Sequence, residues 1–451
     1  MPSPANRTAA GAIDRRHFVS LCGAGLLAPA AARAQNAPPA NPDVVIIGAG
    51  AAGIAAAHVL RAAGIGYVHV EAASRAGGRA HTETESFGVP HDRGAHWVQN
   101  RGRNPYFHRA KSGPYRFYEA PETYRIFARD RAATEAETAA LWSVWDEVDA
   151  AIGAAGRRGE DVAPASVAPG AGPWARTAWF GIGPWEMGKN MEDFSCVDWW
   201  NSADSIDWYC AEGYGRLVAE HARDLPVELD TPATRIRWGG EGVEVETPRG
   251  TIRARAAIVT VSTGVLSGGG IAFDPALPEE KEASFHAIAM GDYNHITLKF
   301  AADIFGLGAD GYVLHQVDES DEAFGALTNA SGTGLAYCDV GGRFARDLEK
   351  AGAAAAIDFV KGKLRALIGS EVDRQFQGAA VTAWTSDPLI RGCYASARPG
   401  GYAMRDVLRM PVAERIYFAG EACHSDLWAT VGGADISGRD TARAVMRALA
   451  G

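Results

Sequence analysis

Between residues 48 and 53 the chain reads Gly48-Ala49-Gly50-Ala51-Ala52-Gly53, and an acid, Glu71, follows about 20 residues on. Glycines at this spacing permit a tight turn and let the backbone approach a pyrophosphate closely, while a helix N-terminus behind them attracts the same anion. Glu71 is placed to accept hydrogen bonds from ribose hydroxyls. A second glycine turn, Ala73-Ser74-Arg75-Ala76-Gly77-Gly78-Arg79, carries an arginine suited to the pyrophosphate and separates an FAD site from an NAD site. Near the other end, Arg415-Ile416-Tyr417-Phe418-Ala419-Gly420-Glu421 reads as a short strand entering a Gly-Glu turn. Gly432-Gly433-Ala434 and Ser437-Gly438 then lead into a helix with apolar Ala442, Val445, Met446 and Leu449.

These motifs need strands and helices to hold them. Val44-Val45-Ile46-Ile47 is apolar without alternation, the pattern of a parallel strand buried on both faces, and Ile54 to Ala63 reads as the helix behind the glycines. Tyr67-Val68-His69-Val70 supplies a second strand ending at Glu71, and Ala257-Ile258-Val259-Thr260-Val261 another buried one. Glu244-Val245-Glu246-Thr247 and Thr251-Ile252-Arg253-Ala254 flank a Pro-Arg-Gly turn as a hairpin. Arg157 to Gly172 is rich in Pro, Ala and Gly and reads as a loop, and Asp318 to Glu322 as a solvated one.

With 451 residues the chain has room for two or three domains. It is 47% apolar and 22% charged, which argues against a largely disordered chain, and its net charge of -10 gives no support to nucleic-acid binding. The longest apolar run, near residues 18–32, is too short to span a bilayer. That run follows Asp14-Arg15-Arg16-His17-Phe18 and ends at Ala32-Arg33-Ala34, the order of an export signal over residues 1–34. The paired arginines resemble a twin-arginine signal and predict a periplasmic protein exported already folded. Cleavage would make the mature chain more acidic by three charges, and would leave five of the six cysteines, so at least one thiol is unpaired in a monomer.

Taken together, the motifs resemble the flavin-dependent amine oxidase family, which includes monoamine and polyamine oxidases. The resemblance rests on the two glycine turns, Asp92-Arg93-Gly94-Ala95-His96-Trp97, Gly213-Tyr214 with Leu217, and Thr231-Pro232-Ala233-Thr234-Arg235-Ile236. It continues through Trp384-Thr385-Ser386-Asp387-Pro388 and the Ala419-Gly420-Glu421 tail, in the family's order over nearly the whole mature chain. It implies an α/β fold, with a discontinuous Rossmann-type FAD-binding domain (residues 41–105, 211–290 and 381–451). An α+β substrate domain (106–210 and 291–380) would be inserted into it. FAD would be held by Gly48, Gly50, Ala52, Gly53, Glu71, Arg79, Gly94, Ala95, Ala233, Trp384, Cys393, Glu421 and Val431. The implied reaction passes a hydride from the alpha carbon of a small-molecule amine to flavin N5. The imine then hydrolyses, and the electrons go to O2 as hydrogen peroxide. No metal is implied.

Within that frame Cys393, in Gly392-Cys393-Tyr394, matches the cysteine through which monoamine oxidases attach FAD covalently, and Tyr394 matches one wall of an aromatic cage beside the flavin. Nine residues on from Glu421, where monoamine oxidases usually have the second aromatic wall, stands Thr430. A half-open cage leaves room for a bulkier or secondary amine. The family's usual lysine, which holds a water near N5, is replaced by His295 in the strand His295-Ile296-Thr297-Leu298-Lys299-Phe300. Histidine can also bind a water and titrates near neutral pH, so His295 takes that role, with Lys299 second on the same strand face. The chain has only seven lysines against 37 arginines, so no substitute motif is expected elsewhere.

Six of the twelve tryptophans lie between Trp174 and Trp208, along with Glu192, Asp193, Asp198, Asp204 and Asp207. That mixture suits a cationic amine, and equally a tryptophan-rich core with surface acids. The alternatives on the same fold are a flavoprotein dehydrogenase or desaturase and an L-amino-acid oxidase. The latter needs an arginine to clamp a carboxylate, for which Arg101, Arg103 and Arg125 are available. A flavin-binding protein without turnover is the alternative of another class.

Overall fold

The computed structural model describes residues 41–203, 205–318 and 320–451. The export signal over residues 1–34, and Asp204, lie outside the described residues.

The strand Val44–Ile47 is wholly buried and sits at the centre of a five-stranded parallel sheet. The strand order is Ile416–Phe418, Ala256–Val259, Val44–Ile47, Tyr67–Val70 and Val227–Glu228. Burial on both faces explains why these segments are apolar without alternation. The helix after the glycines runs Ala51–Ala62, starting three residues earlier than its apolar pattern suggested. The C-terminal helix Val431–Ala450 packs on it so closely that a Cβ on Gly438 would lie 2.1 Å from the Ala52 carbonyl oxygen. The expected strand over 257–261 ends at Val259, because Thr260 turns its hydroxyl back onto the Ile47 carbonyl. The expected hairpin is present as Val243–Thr247 and Gly250–Ala254, paired antiparallel in a separate four-stranded sheet.

A seven-stranded mixed sheet carries the other half of the site. Its order is Phe376–Val381, Tyr293–Phe300, Leu335–Gly341, Gly325–Thr328, Gly311–His315, Tyr124–Ala128 and Arg131–Ala132. Tyr293–Phe300 lies antiparallel to Leu335–Gly341 in a register that sets His295 directly opposite Asp339. The long helix Glu135–Arg157 starts with a capping box, in which Thr134 and Glu137 satisfy each other's backbone N–H groups. Beyond it, the expected loop holds only the short 3₁₀ turn Pro164–Ser166. Among the described residues no group of side chains is arranged to hold a metal ion, and no helix is long and apolar enough to cross a membrane.

Candidate active site

One cavity of about 900 Å³ runs from the glycine turn to the tryptophan-rich segment. Its inner end is a cradle of backbone. The helix Ala51–Ala62 begins at Gly50 with no side chain capping its free N–H groups, and the space where a Gly50 Cβ would stand is open. An uncapped N-terminus facing open space is a site for a phosphate group. Glu71 is fixed beside it, accepting from Ala49 N at 2.5 Å and Ala73 N at 2.8 Å. Burial pushes the Glu71 carboxyl up, and these two N–H donors hold it partly back. Such a fixed carboxylate beside an anion-binding helix end fits the ribose and pyrophosphate of FAD.

The other expected cofactor positions Gly48, Ala52, Ala233 and Val431 also line this cavity. Gly53 does not. It packs under the turn, where a Cβ would lie 1.9 Å from the Gly48 carbonyl oxygen. Arg79 and Glu421 form the clasp of the cradle. Arg79 donates to Glu421 Oε1 and to the Cys393 carbonyl oxygen, each at 2.8 Å, while Glu421 also accepts from the Ala395 and Ala429 amides. Three segments, around residues 79, 395 and 421–429, are thereby tied at one carboxylate. Gly94 and Ala95 form the next wall, and a Cβ on Gly94 would lie 1.8 Å from the Arg79 carbonyl oxygen. Trp384 closes over this turn, donating its indole N–H to the Arg93 carbonyl oxygen at 3.1 Å. Asp92 anchors the same turn by accepting from Tyr214 N and Gly215 N, the start of the helix Tyr214–His221.

At the junction of cradle and chamber, His295, Tyr394, Thr430 and Cys393 all contribute to the cavity wall, with the Tyr293 ring against both His295 and Tyr394. Tyr394 donates its hydroxyl to the Glu186 carbonyl oxygen at 2.7 Å, which fixes its ring at the junction. Thr430 caps the C-terminal helix. Its hydroxyl accepts from Gly433 N at 2.9 Å and donates to the Leu427 carbonyl oxygen, so it has a structural task at the cavity edge. The Cys393 thiol sits in a notch left by two glycines, since a Cβ on Gly188 would lie 2.8 Å from its sulfur and one on Gly291 3.1 Å. Burial pushes that thiol up, toward its neutral form. Cys196, Cys210, Cys338, Cys393 and Cys423 are all buried and unpaired with one another.

Sequence reasoning missed the partner of His295. Asp339 Oδ1 lies 2.5 Å from His295 Nδ1, and His295 Nε2 lies 3.1 Å from the Gly94 carbonyl oxygen. The signal was there: Leu335–Gly341 is a wholly buried strand, and a carboxylate inside it requires a partner. Lys189, also missed, is buried beneath the site and donates to the Ala289 and Ser396 carbonyl oxygens. Burial lowers it to about 8. Lys299 is not in the cavity wall; it bonds the Thr333 carbonyl oxygen at the far end of its strand, where the pairing register shifts.

The outer chamber is aromatic with an acidic rim. Of the six clustered tryptophans, Trp185, Trp199 and Trp200 line it, joined by Trp142, Trp145 and Trp428 from other segments. Asp149, Glu186, Asp207 and Asp426 contribute the carboxylates, of which Asp426 is tied to Arg103, and Trp199 donates to Asp149 at 2.8 Å. The remaining acids of the segment lie elsewhere: Glu192 and Asp193 pair with Arg343, and Asp198 is buried against Arg405. Arg101 stacks on Trp208, Arg103 pairs with Asp426, and neither these nor Arg125 line the cavity.

A parallel sheet with an open helix end and a fixed acid, joined to an aromatic chamber, defines a dinucleotide-dependent enzyme. The chain belongs to the flavin-containing amine oxidoreductase family, whose pattern it matches over residues 180–446, with a Rossmann-like dinucleotide-binding pattern over residues 46–110. It is an FAD-dependent amine oxidase. It is 28% identical to Polyamine oxidase 5 of Oryza sativa subsp. japonica, over 97% of this chain and 91% of that protein. It is 26% identical to Probable polyamine oxidase 4 of Arabidopsis thaliana, over 88% of this chain and 86% of that one. Two solved structures share the fold at 20% identity. A putrescine oxidase bound to putrescine superposes with a TM-score of 0.77, and the cyclohexylamine oxidase of Brevibacterium oxydans IH-35A with 0.75. Each alignment covers 91% of this chain and 100% of the other.

Proposed function

We propose that this enzyme oxidises a di- or polyamine-like substrate, in which one nitrogen is held at Tyr394 and a second cationic group reaches the acidic rim. The single observation that carries this reading is the continuity of one cavity from the Glu71 cradle, past Tyr394 and His295, to Asp149, Glu186 and Asp207. The curated relatives named polyamine oxidases point the same way. FAD, when bound, supplies the two-electron sink for the carbon–nitrogen bond, with O2 as the acceptor and hydrogen peroxide as the product.

The protein's own part is binding and exclusion. Gly50 and the helix behind it hold the pyrophosphate, and Glu71 the ribose. The Tyr394 face and the tryptophans bind the carbon chain by dispersion and the cationic arm by cation–π attraction. With Trp97 and Trp384 lining the junction, bulk water is kept from the reacting carbon. The cavity-lining arginines are Arg79, committed to Glu421, and Arg157 at the outer mouth, stacked 5.1 Å from the centre of the Trp200 ring. Among the described residues no arginine free to clamp a carboxylate lines the cavity, which favours an amine over an amino acid.

The proposal extends to the division of the chain. The parallel-sheet strands fall within 41–105, 211–290 and 381–451, and most strands of the seven-stranded sheet within 106–210 and 291–380, as an inserted substrate domain requires. Export through the twin-arginine pathway to the periplasm is proposed from residues 1–34 alone. A covalent cysteinyl link from Cys393 to FAD is proposed from its place in the cavity wall. Peroxide release under air, on a panel of monoamines, diamines, polyamines and amino acids, tests the activity. Turnover of di- or polyamines is expected; turnover of amino acids alone would overturn the substrate assignment.

A further inference from the structure

Two buried histidines flank Tyr337 in the cavity wall, and each has a carboxylate at Nδ1. His96 faces Asp92 Oδ2 at 3.0 Å, and its Nε2 has no partner among the described residues. His295 differs at that second nitrogen, which meets the Gly94 carbonyl oxygen. A carbonyl oxygen only accepts, so His295 Nε2 carries a proton. Nδ1 then either donates to an ionised Asp339 or accepts from a protonated one. A neutral imidazole offers one donor and one acceptor, and only the imidazolium donates from both nitrogens.

The surroundings decide between these states. Asp339 lies opposite on the neighbouring strand, and Asp92 adds a second negative charge from the strand His91–Asp92. Against them stands His91, while Tyr293, Tyr337 and the Trp97 ring complete the enclosure with neutral groups. Asp339 thus bonds this ring directly, while Asp92, engaged with His96 and the Tyr214 and Gly215 amides, adds its charge without bonding it.

We propose that Asp339 and the Gly94 carbonyl hold His295 as an imidazolium, making Asp339 a positioning residue that fixes one positive charge between the cofactor cradle and the aromatic chamber. Burial lowers the His295 pKa, and Asp339, the Gly94 carbonyl and Asp92 together more than reverse this, so it lies above its ordinary value. The groups that favour this charge state, Asp339 at Nδ1 and the Gly94 carbonyl at Nε2, both belong to the protein. Its consequences rest on the reading of the cavity as an FAD-dependent amine site. A fixed cation favours negative charge on a reduced cofactor, and it repels the ammonium form of a substrate, which leaves the neutral amine at the junction.

The test is ¹⁵N NMR of the FAD-loaded protein labelled at histidine, with the His295 signals assigned from His295→Gln. Both His295 ring nitrogens are expected to be protonated below a midpoint that lies above about 6.5. Asp339→Asn should bring that midpoint down by about one to three on the pH scale. It should also lower the flavin midpoint potential, as His295→Gln should, while His295→Lys keeps the potential near that of the unsubstituted enzyme. A His295 midpoint at or below about 6.5 in the unsubstituted protein would overturn the proposal. So would an Asp339→Asn protein whose His295 midpoint is unchanged, or a potential that stays fixed while the midpoint moves. If a variant does not load FAD, the unsubstituted protein's spectrum decides alone. That spectrum does not depend on which amine is turned over, so its failure is separable from failure of the substrate assignment.

Discussion

The cradle and the chamber sit at two ends of one cavity and are built on different principles. The cradle is made of backbone: an uncapped helix end at Gly50, close contacts at Gly94 and Gly438, with Glu71 fixed beside the helix end and Glu421 tying three segments. The chamber is made of side chains from separate elements, with tryptophans at 142, 145, 185, 199, 200 and 428 and carboxylates at 149, 186, 207 and 426. Backbone sites tolerate almost no added atoms, whereas side-chain sites can be altered one contact at a time. Cofactor content should therefore respond to cradle substitutions and substrate preference to chamber substitutions, with little crossover.

The largest effect is expected at Gly94. A valine there would drive a Cβ to within 1.8 Å of the Arg79 carbonyl oxygen, and the purified protein should lack FAD, read as loss of visible absorbance. Normal FAD content in Gly94→Val would break the contrast. Next comes the Asp198–Arg405 pair, with both side chains buried beneath the junction. Arg405→Leu strands a buried carboxylate and should cost about 3–5 kcal/mol in denaturant unfolding.

In the chamber, Asp207→Asn should lower kcat/KM for a diamine by about tenfold, or about 1.4 kcal/mol, relative to a monoamine of equal length. FAD content should not change, and an equal loss on both substrates would remove Asp207 from recognition of the second charge. The smallest effect belongs to Thr430→Ala, which loses a helix cap and should cost about 1 kcal/mol with the FAD spectrum retained.

The junction carries a pH signature. The His295 pKa is raised in the fold, so its contribution to stability is complete below about 6.5 and is lost as pH rises through the folded-state value. Unfolding free energy should fall over that interval, and Asp339→Asn should flatten the slope.

Legibility in the sequence follows the same division. The cradle could be read because its parts are contiguous: Gly48 to Gly53, Glu71 and Ala419-Gly420-Glu421 each sit at a strand end, where chain order and spatial order agree. Element ends were less legible. The helix begins at Ala51 because its first turn is alanine and glycine, which carry no apolar periodicity. The junction was half legible. His295 stood out by the residue it replaces, while Asp339, 44 positions away, is brought opposite only by sheet register. Lys299 looked equivalent by the period of two and keeps that register, but it lies at the far end of the strand and bonds the Thr333 carbonyl instead. The chamber was least legible, since a tryptophan cluster reads the same whether it lines a cavity or fills a core. Only half of the clustered tryptophans proved to line it.

The central claim is that this cavity joins an FAD to a bound amine. Anaerobic mixing of the FAD-loaded enzyme with a diamine or polyamine, followed by the visible spectrum, tests it most directly. The oxidised flavin bands should bleach within the mixing experiment and return when air is admitted. A spectrum unchanged by every amine, with FAD demonstrably bound, would contradict it.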